Sequence, residues 1–205
     1  MRDALIQVAI EKFGARGFEA VGTREIAAAV GTPMSSITYH FGSKEGLYLA
    51  AAEHIFESVH EKMAPSFAAM PEKGAPIAEH VEALCQTLVR LGGFMLAETT
   101  VPFAMFINRE QQAPTKVVRE LMDRKVMPMQ RRMVEQVRII RPELAEVEAK
   151  ALGFYLFAMC AGLRHGHGSL TLLHDCETLD DATKELMISQ LEKWVRTLLV
   201  AETAP

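Results

Sequence analysis

Apolar residues recur at spacings of three and four along nearly the whole chain, and alternating strand-like runs are almost absent. Glycine and proline fall at intervals that punctuate helices. The pattern predicts an all-α protein of about nine helices: a small N-terminal three-helix part with a helix-turn-helix, then a larger helical domain. The first helix runs from Asp3 to Arg16, buries Leu5, Ile6, Ala9, Ile10 and Phe13, and stops at Gly17. Thr23 can cap the second, which spans Arg24 to Val30, with Gly31 as its C-terminal cap and Thr32-Pro33 re-aiming the chain. Met34 to His40 forms the third, with Ile37 and Phe41 at i, i+4 on its inner side. The fourth follows Ser43 as N-cap and runs to about Met63 on the stripe Leu47, Ala51, Ile55, Val59 and Met63.

Pro65 to Pro76 reads as a loop. A fifth helix covers Ile77 to Leu91 or beyond, weakened at Gly92-Gly93, and a short aromatic-rich sixth covers Pro102 to Gln112. Pro114 opens a seventh that reaches about Ile140 with a kink at Pro128. Pro142 begins the eighth, which ends in the glycines around Arg164 to Gly168, and the ninth runs from Asp180 to Ala201.

The segment from Thr23 to Leu47 carries the functional reading. Two short helices across a tight turn, the second with small and polar residues outward, have the layout of a helix-turn-helix whose second helix enters the major groove of DNA. Ala9, Phe13, Gly17, Phe18, Thr23, Ile26, Ala27, Gly31, Ile37, Phe41, Lys44, Glu45 and Leu47 together resemble the DNA-binding domain of the tetracycline-repressor (TetR) family of bacterial transcription regulators. One departure stands out: the family usually has tyrosine where this chain has Thr38, and here the tyrosine comes one place later, at Tyr39. The runs ITYHFGSKEGLYLA and INREQQAPT (Ile107 to Thr115) are similar to a subgroup concerned with antibiotic-sensitivity control, the CecR-like regulators.

The resemblance implies a DNA-binding domain over residues 1–46 and a ligand-binding and dimerisation domain over 47–205. The expected DNA-facing residues are Thr23, Arg24, Ser35, Ser36, Thr38, Tyr39, His40 and Lys44. Either Tyr39 or His40 could instead pack on the domain core. Lys44 stands in the first turn of a helix, where a cation opposes the helix dipole unless a phosphate lies there too; otherwise it is a solvated lysine. The implied protein is a homodimeric repressor that binds a near-palindromic double-stranded operator and is released by a small apolar effector. Its last two helices would pair through Leu152, Leu156, Leu191, Trp194 and Leu198.

Twelve methionines and ten phenylalanines suit an adaptable cavity as well as a plain core. The expected pocket is walled by Leu88, Phe94, Phe103, Phe106, Met129, Met133 and Phe157. Arg109 and Glu110 beside the aromatic helix either orient the ligand or make an internal salt bridge.

Charge qualifies the picture. The net charge is −4, and residues 1–48 hold five Lys/Arg against five Asp/Glu. DNA binding therefore requires Lys44, Arg24, Arg16 and helix N-termini to face phosphate while the acids face elsewhere. A rival reading, a small-molecule-binding protein or enzyme with a vestigial helix-turn-helix, draws on this neutrality and on Thr38.

No nucleophile elbow, phosphate loop or HExxH motif is present, which argues against an enzyme, and no cofactor is expected. His165, His167, His174 and Cys176 match no metal-site spacing and read as incidental. His54, His60 and His80 are expected at the surface or between helices. The longest apolar run, Ala151 to Leu163, is too short for a bilayer, which needs about 18 residues. The amphipathic N-terminus with Asp3 and Glu11 is no signal peptide, and three scattered cysteines fit free thiols in a reducing cytoplasm.

Overall fold

A computed structural model describes residues 1–112 and 115–200, including all their side chains but those at 111 and 117. These residues form eleven α-helices: α1 (Arg2–Arg16), α2 (Thr23–Val30), α3 (Ser35–Phe41), α4 (Lys44–Ala68), α5 (Ile77–Leu96), α6 (Val101–Gln112), α7 (Lys116–Lys125), α8 (Met127–Ile140), α9 (Glu146–His165), α10 (His167–Leu173) and α11 (Asp181–Val200). A single 3-10 turn spans Glu98–Thr100, and no strand occurs among the described residues. The class is all-α, as expected, but the expected nine helices become eleven.

Two breaks account for the difference. Thr115 caps α7 by accepting the Val118 N–H, and α7 closes at Val126. Pro128 then stands in the first turn of α8, where a missing N–H costs nothing, so it opens a helix rather than kinking one. The expected start at Pro114 lies outside the described residues, as does the expected end at Ala201. At the second break, Gly166 caps α9 and the chain re-forms as α10.

Other boundaries also differ from those expected. α2 is capped by the Gly22 carbonyl, which accepts from Glu25 and Ile26 N–H groups, so Thr23 is its first residue and not its cap. α4 continues through Pro65 to Ala68. α5 runs through Gly92-Gly93 to Leu96 because Gly92 is a packing position. A Cβ there would lie 2.5 Å from Leu191 Cδ2 and 3.1 Å from Ile188 Cδ1, so glycine lets α11 approach without displacing these methyls. Pro142 sits in a turn, and α9 starts at Glu146, where the Ala145 N–H donates to the Glu148 carboxylate at 2.7 Å.

The chain divides into two compact units, 1–60 with 99–126, and 61–98 with the chain from Met127 onward. The first unit closes around Leu5, Ile10 and Phe13 of α1, Ile26 of α2, Ile37 of α3, Leu47 and Ile55 of α4, Phe106 of α6 and Leu121 of α7. Each such side chain contributes about 1.5–3 kcal/mol by leaving water. In the second unit α5 packs against α8, α9 and α11, with Leu84, Leu88, Val137, Leu156, Leu191 and Val195 buried. All three cysteines are free thiols; Cys85 and Cys160 are buried. Burial raises both, to about 11 and about 12. Among the described residues no helix is long and apolar enough to cross a membrane.

Candidate nucleic-acid interface

The turn between α2 and α3 is set by Gly31, whose left-handed backbone (φ 73°, ψ 31°) ends α2 and lets the Thr32 N–H reach the Ala27 carbonyl at 3.0 Å. The Thr32 and Ser36 hydroxyls then meet at 2.7 Å across the turn. This fixes the phase of α3. Ile37 points inward at 2% exposure and Phe41 is partly buried, while Tyr39 is 85% exposed. Ser35, Thr38 and Tyr39, spaced i, i+3, i+4, share the open face; Ser36 and His40 flank it half-buried, the His40 ring edge-on to Tyr39. The structure thus brings together every α3 residue expected to face DNA.

The start of α4 lies in the same unit. Ser43 Oγ accepts the Gly46 N–H at 3.1 Å, as a cap should. Hydrogen bonding to the Ser43 hydroxyl, then to backbone, holds the Glu45 carboxyl below the usual range. Lys44 is the first residue of α4, and its ammonium stands 4.4 Å from the centre of the Phe18 ring. Phe18 meets Tyr48 edge-on at 5.0 Å, and Tyr48 stacks on Phe106 of α6 at 4.7 Å.

One acid of this unit takes up two of its cations. Glu25 accepts from Arg16 and from Lys12 (2.7 Å), which together hold its carboxyl at about 2, the Arg16 bond being the larger cause. Arg16 is therefore committed to Glu25. Arg24 is exposed, and Thr23 is half-buried at the head of α2.

Arg109 and Glu110 lie in the same unit and are engaged by it. The Arg109 guanidinium donates to the Gly14 and Ala15 carbonyls at the end of α1, both at 2.8 Å. Glu110, 3% exposed, accepts from the Tyr48 hydroxyl and from the Thr115 N–H (2.9 Å) and hydroxyl (3.2 Å). Of the two readings open in the sequence, internal pairing describes them, though with these partners and not each other. Phe103 and Phe106 pack on this unit's core.

The other expected pocket residues belong to the second unit: Leu88 and Met133 are buried, and Phe94, Met129 and Phe157 half-buried. Met133 lines a cleft of about 270 Å³ between α8 and α9, with Met127, Val134, Gly153 and Phe154. Of the residues expected to pair between subunits, Leu156 and Leu191 are buried inside the unit, Leu152 is half-buried, and Trp194 (55%) and Leu198 are exposed. Phe154 (62% exposed), whose apolar bulk also suggested that pairing, and Leu186 are open too; sequence reasoning missed Tyr155, Val147 and Val200, likewise open on α9 and α11.

It also missed two buried polar groups. Arg164 donates to the Met95 and Ala97 carbonyls (2.6 and 2.9 Å) and caps α5. Gln136 of α8 is fully buried against His80 of α5. The signal for His80 was its i, i+4, i+8 register with Leu84 and Leu88. His165 and His167 flank the α9–α10 break, and no group of three metal-ligating side chains occurs among the described residues.

Residues 5–51 match the family model described as bacterial regulatory proteins, tetR family, and residues 78–201 match the C-terminal domain of the HTH-type transcriptional dual regulator CecR. Over 132 residues the chain is 36% identical to the HTH-type transcriptional dual regulator CecR of Shigella flexneri, covering 61% of this chain and 57% of that protein. Over 58 residues it is 43% identical to the HTH-type transcriptional regulatory protein RaaS of Mycobacterium tuberculosis, covering 28% and 27%. The matches thus span little more than half of one curated relative and about a quarter of the other. Among solved structures, AibR in complex with isovaleryl coenzyme A and operator DNA aligns with a TM-score of 0.71 at 15% identity, over 94% of this chain and 96% of that one. The ketosteroid transcriptional regulator KstR2 of Mycobacterium tuberculosis gives 0.67 at 16% identity, over 95% and 92%. At these identities the structural likeness concerns the fold.

Proposed function

The chain belongs to the tetR family of bacterial regulatory proteins, with the C-terminal domain of the CecR type, and from this we propose a homodimeric, cytoplasmic repressor that a small apolar effector releases from its operator. Residues 1–46 act as the DNA-binding part and the rest as the ligand-binding and dimerisation part. The observation that carries this reading is the α3 surface: Ser35, Thr38 and Tyr39 stand open while Ile37 is sealed beneath them. A seven-residue helix presented this way fits the major groove, its small and hydroxyl-bearing side chains within reach of base edges.

Phosphate contacts fall to Lys44, Arg24 and the N–H groups that open α4. The Phe18 ring under Lys44 holds its ammonium near the helix start. Two copies would pair through the open apolar residues of α9 and α11, Phe154 and Trp194 among them, as a four-helix arrangement. A two-fold dimer presents two equivalent α3 helices and so reads a near-palindrome. The effector acts by population shift, favouring a dimer whose α3 helices no longer match successive grooves. The AibR complex, which holds a coenzyme A thioester and operator DNA, supports a regulator of this design.

Selection of bound sequences from a random duplex pool tests the reading. Enrichment of one near-palindromic site supports it, and enrichment of no shared sequence contradicts it. A compound that raises thermal stability by binding the folded state should also lower affinity for that site.

A further inference from the structure

His80 and Gln136 form a polar pair in the core of the second unit, and both are 0% exposed. Their hydrogen bonds determine where the protons are. The Pro71 carbonyl can only accept, so the Gln136 amide turns its NH2 toward it, at 3.4 Å. The Gln136 carbonyl oxygen then faces His80 Nδ1 at 2.7 Å, and it too can only accept. Nδ1 therefore carries a ring proton, and in the singly protonated ring Nε2 presents a bare lone pair. That nitrogen is buried and receives no hydrogen bond from the described residues. A buried acceptor left this way is costly unless something donates to it.

The surroundings narrow what does. Leu84 and Leu88 lie one and two turns from His80 along α5, and Met133 and Ile140 lie one turn to either side of Gln136 along α8; all four are buried. α5 packs against α8. No group of three metal-ligating side chains occurs among the described residues, so the donor is an O–H or N–H, of a water or of an organic molecule. Leu88 and Met133 belong to the wall assigned above to the effector. Arg109 and Glu110, the polar groups first expected there, are engaged in the first unit.

We propose that His80 Nε2 is the polar anchor of the effector site, accepting a hydrogen bond from a hydroxyl or N–H on an otherwise apolar, ring-sized molecule, with Gln136 holding the ring in the accepting tautomer. The proposal rests on the reading of the second unit as the effector domain.

The test uses the full-length protein labelled with nitrogen-15 at histidine, with phenol and toluene as probes of similar size that differ in the donor. Long-range proton–nitrogen spectra should show His80 protonated at Nδ1 before any addition. Millimolar phenol should then move the Nε2 resonance, and toluene should leave it in place. In His80→Leu the ratio of phenol to toluene affinity should fall roughly tenfold, the loss of one buried hydrogen bond. Gln136→Leu keeps the imidazole but frees its tautomer. It should lower both the Nδ1–H population and the same ratio, which serves if His80→Leu does not fold. A proton on Nε2 in the free protein, an Nε2 resonance indifferent to phenol, or an unchanged ratio in the folded variants would overturn the proposal. Operator affinity in the same samples separates the two claims. A phenol response at His80 with undiminished DNA binding upholds the site and removes the effector reading.

Discussion

Replacing Tyr48 with phenylalanine should loosen α6 from α4 within the first unit. The ring itself stays: its partners Phe13 (5.1 Å), Phe18 (5.0 Å) and Phe106 (4.7 Å) contact carbon, and the apolar area is unchanged. What goes is the hydroxyl that donates to Oε1 of the buried Glu110 carboxylate, while Thr115 serves only Oε2. A hydrogen bond to a charged group contributes about 1.5–3 kcal/mol. At roughly 2–4 °C per kcal/mol for a chain of this size, the melting temperature should fall by about 3–12 °C. The assay is urea and thermal unfolding at one fixed protein concentration, because the stability of any self-associating chain depends on concentration. A double-mutant cycle with Glu110→Gln isolates the pair. Burial, and then the Glu110 bond, push the Tyr48 hydroxyl above its ordinary 10. Its contribution is thus full below pH 10 and is lost only as pH rises beyond that. A Tyr48→Phe protein within about 0.5 kcal/mol of the native one would refute the reasoning, since it would mean that the carboxylate needs no donor from α4.

Three further outcomes follow from the geometry. Glu25 is held at about 2, below its ordinary 4.5, so its pairing stabilises fully above pH 4.5 and is lost as pH falls toward 2; Glu25→Gln should flatten the stability profile across that window, and an equal loss in both proteins would count against the triplet. Gly153→Ala should cost about 1–3 kcal/mol in unfolding experiments, because the new Cβ would sit 2.8 Å from Val134 Cγ2 across α8 and α9; a neutral effect would show that this contact gives way freely. Phe154→Glu with Trp194→Glu should convert a dimer to a monomer in light scattering without unfolding it, as both side chains are open; a double variant that remains dimeric puts the interface elsewhere.

The helix-turn-helix was legible because its signals are local. Gly31 in a left-handed cap, Ile37 on the inner face and Ser43 as a cap each act within a few residues of themselves. Boundaries that depend on distant partners were not legible. Gly92 looks like a helix weakener until Leu191 and Ile188 arrive against it, and Pro128 looks like a kink until α7 is seen to end before it. The same limit separated Arg109 and Glu110 from their roles, since Gly14, Ala15 and Tyr48 lie 62 to 95 residues away in sequence. On α9 and α11 apolar residues surround the helix, so periodicity could not say that Leu156 and Leu191 face inward while Phe154 and Trp194 face out. His80 carried a readable register, but the fixed tautomer depends on Gln136 and Pro71, far along the chain.

The most direct measurement is fluorescence anisotropy of the selected near-palindromic duplex, titrated with native protein and with a Tyr39→Ala, Lys44→Ala double variant over a range of salt. The native protein should bind that duplex more tightly than a scrambled one. The double variant, folded by circular dichroism, should lose the preference and show a salt slope smaller by about one for each lost phosphate contact on each DNA-bound subunit. Equal affinity and equal slope for the native and variant proteins would contradict the assignment of α3 and the start of α4 as the DNA-reading surface.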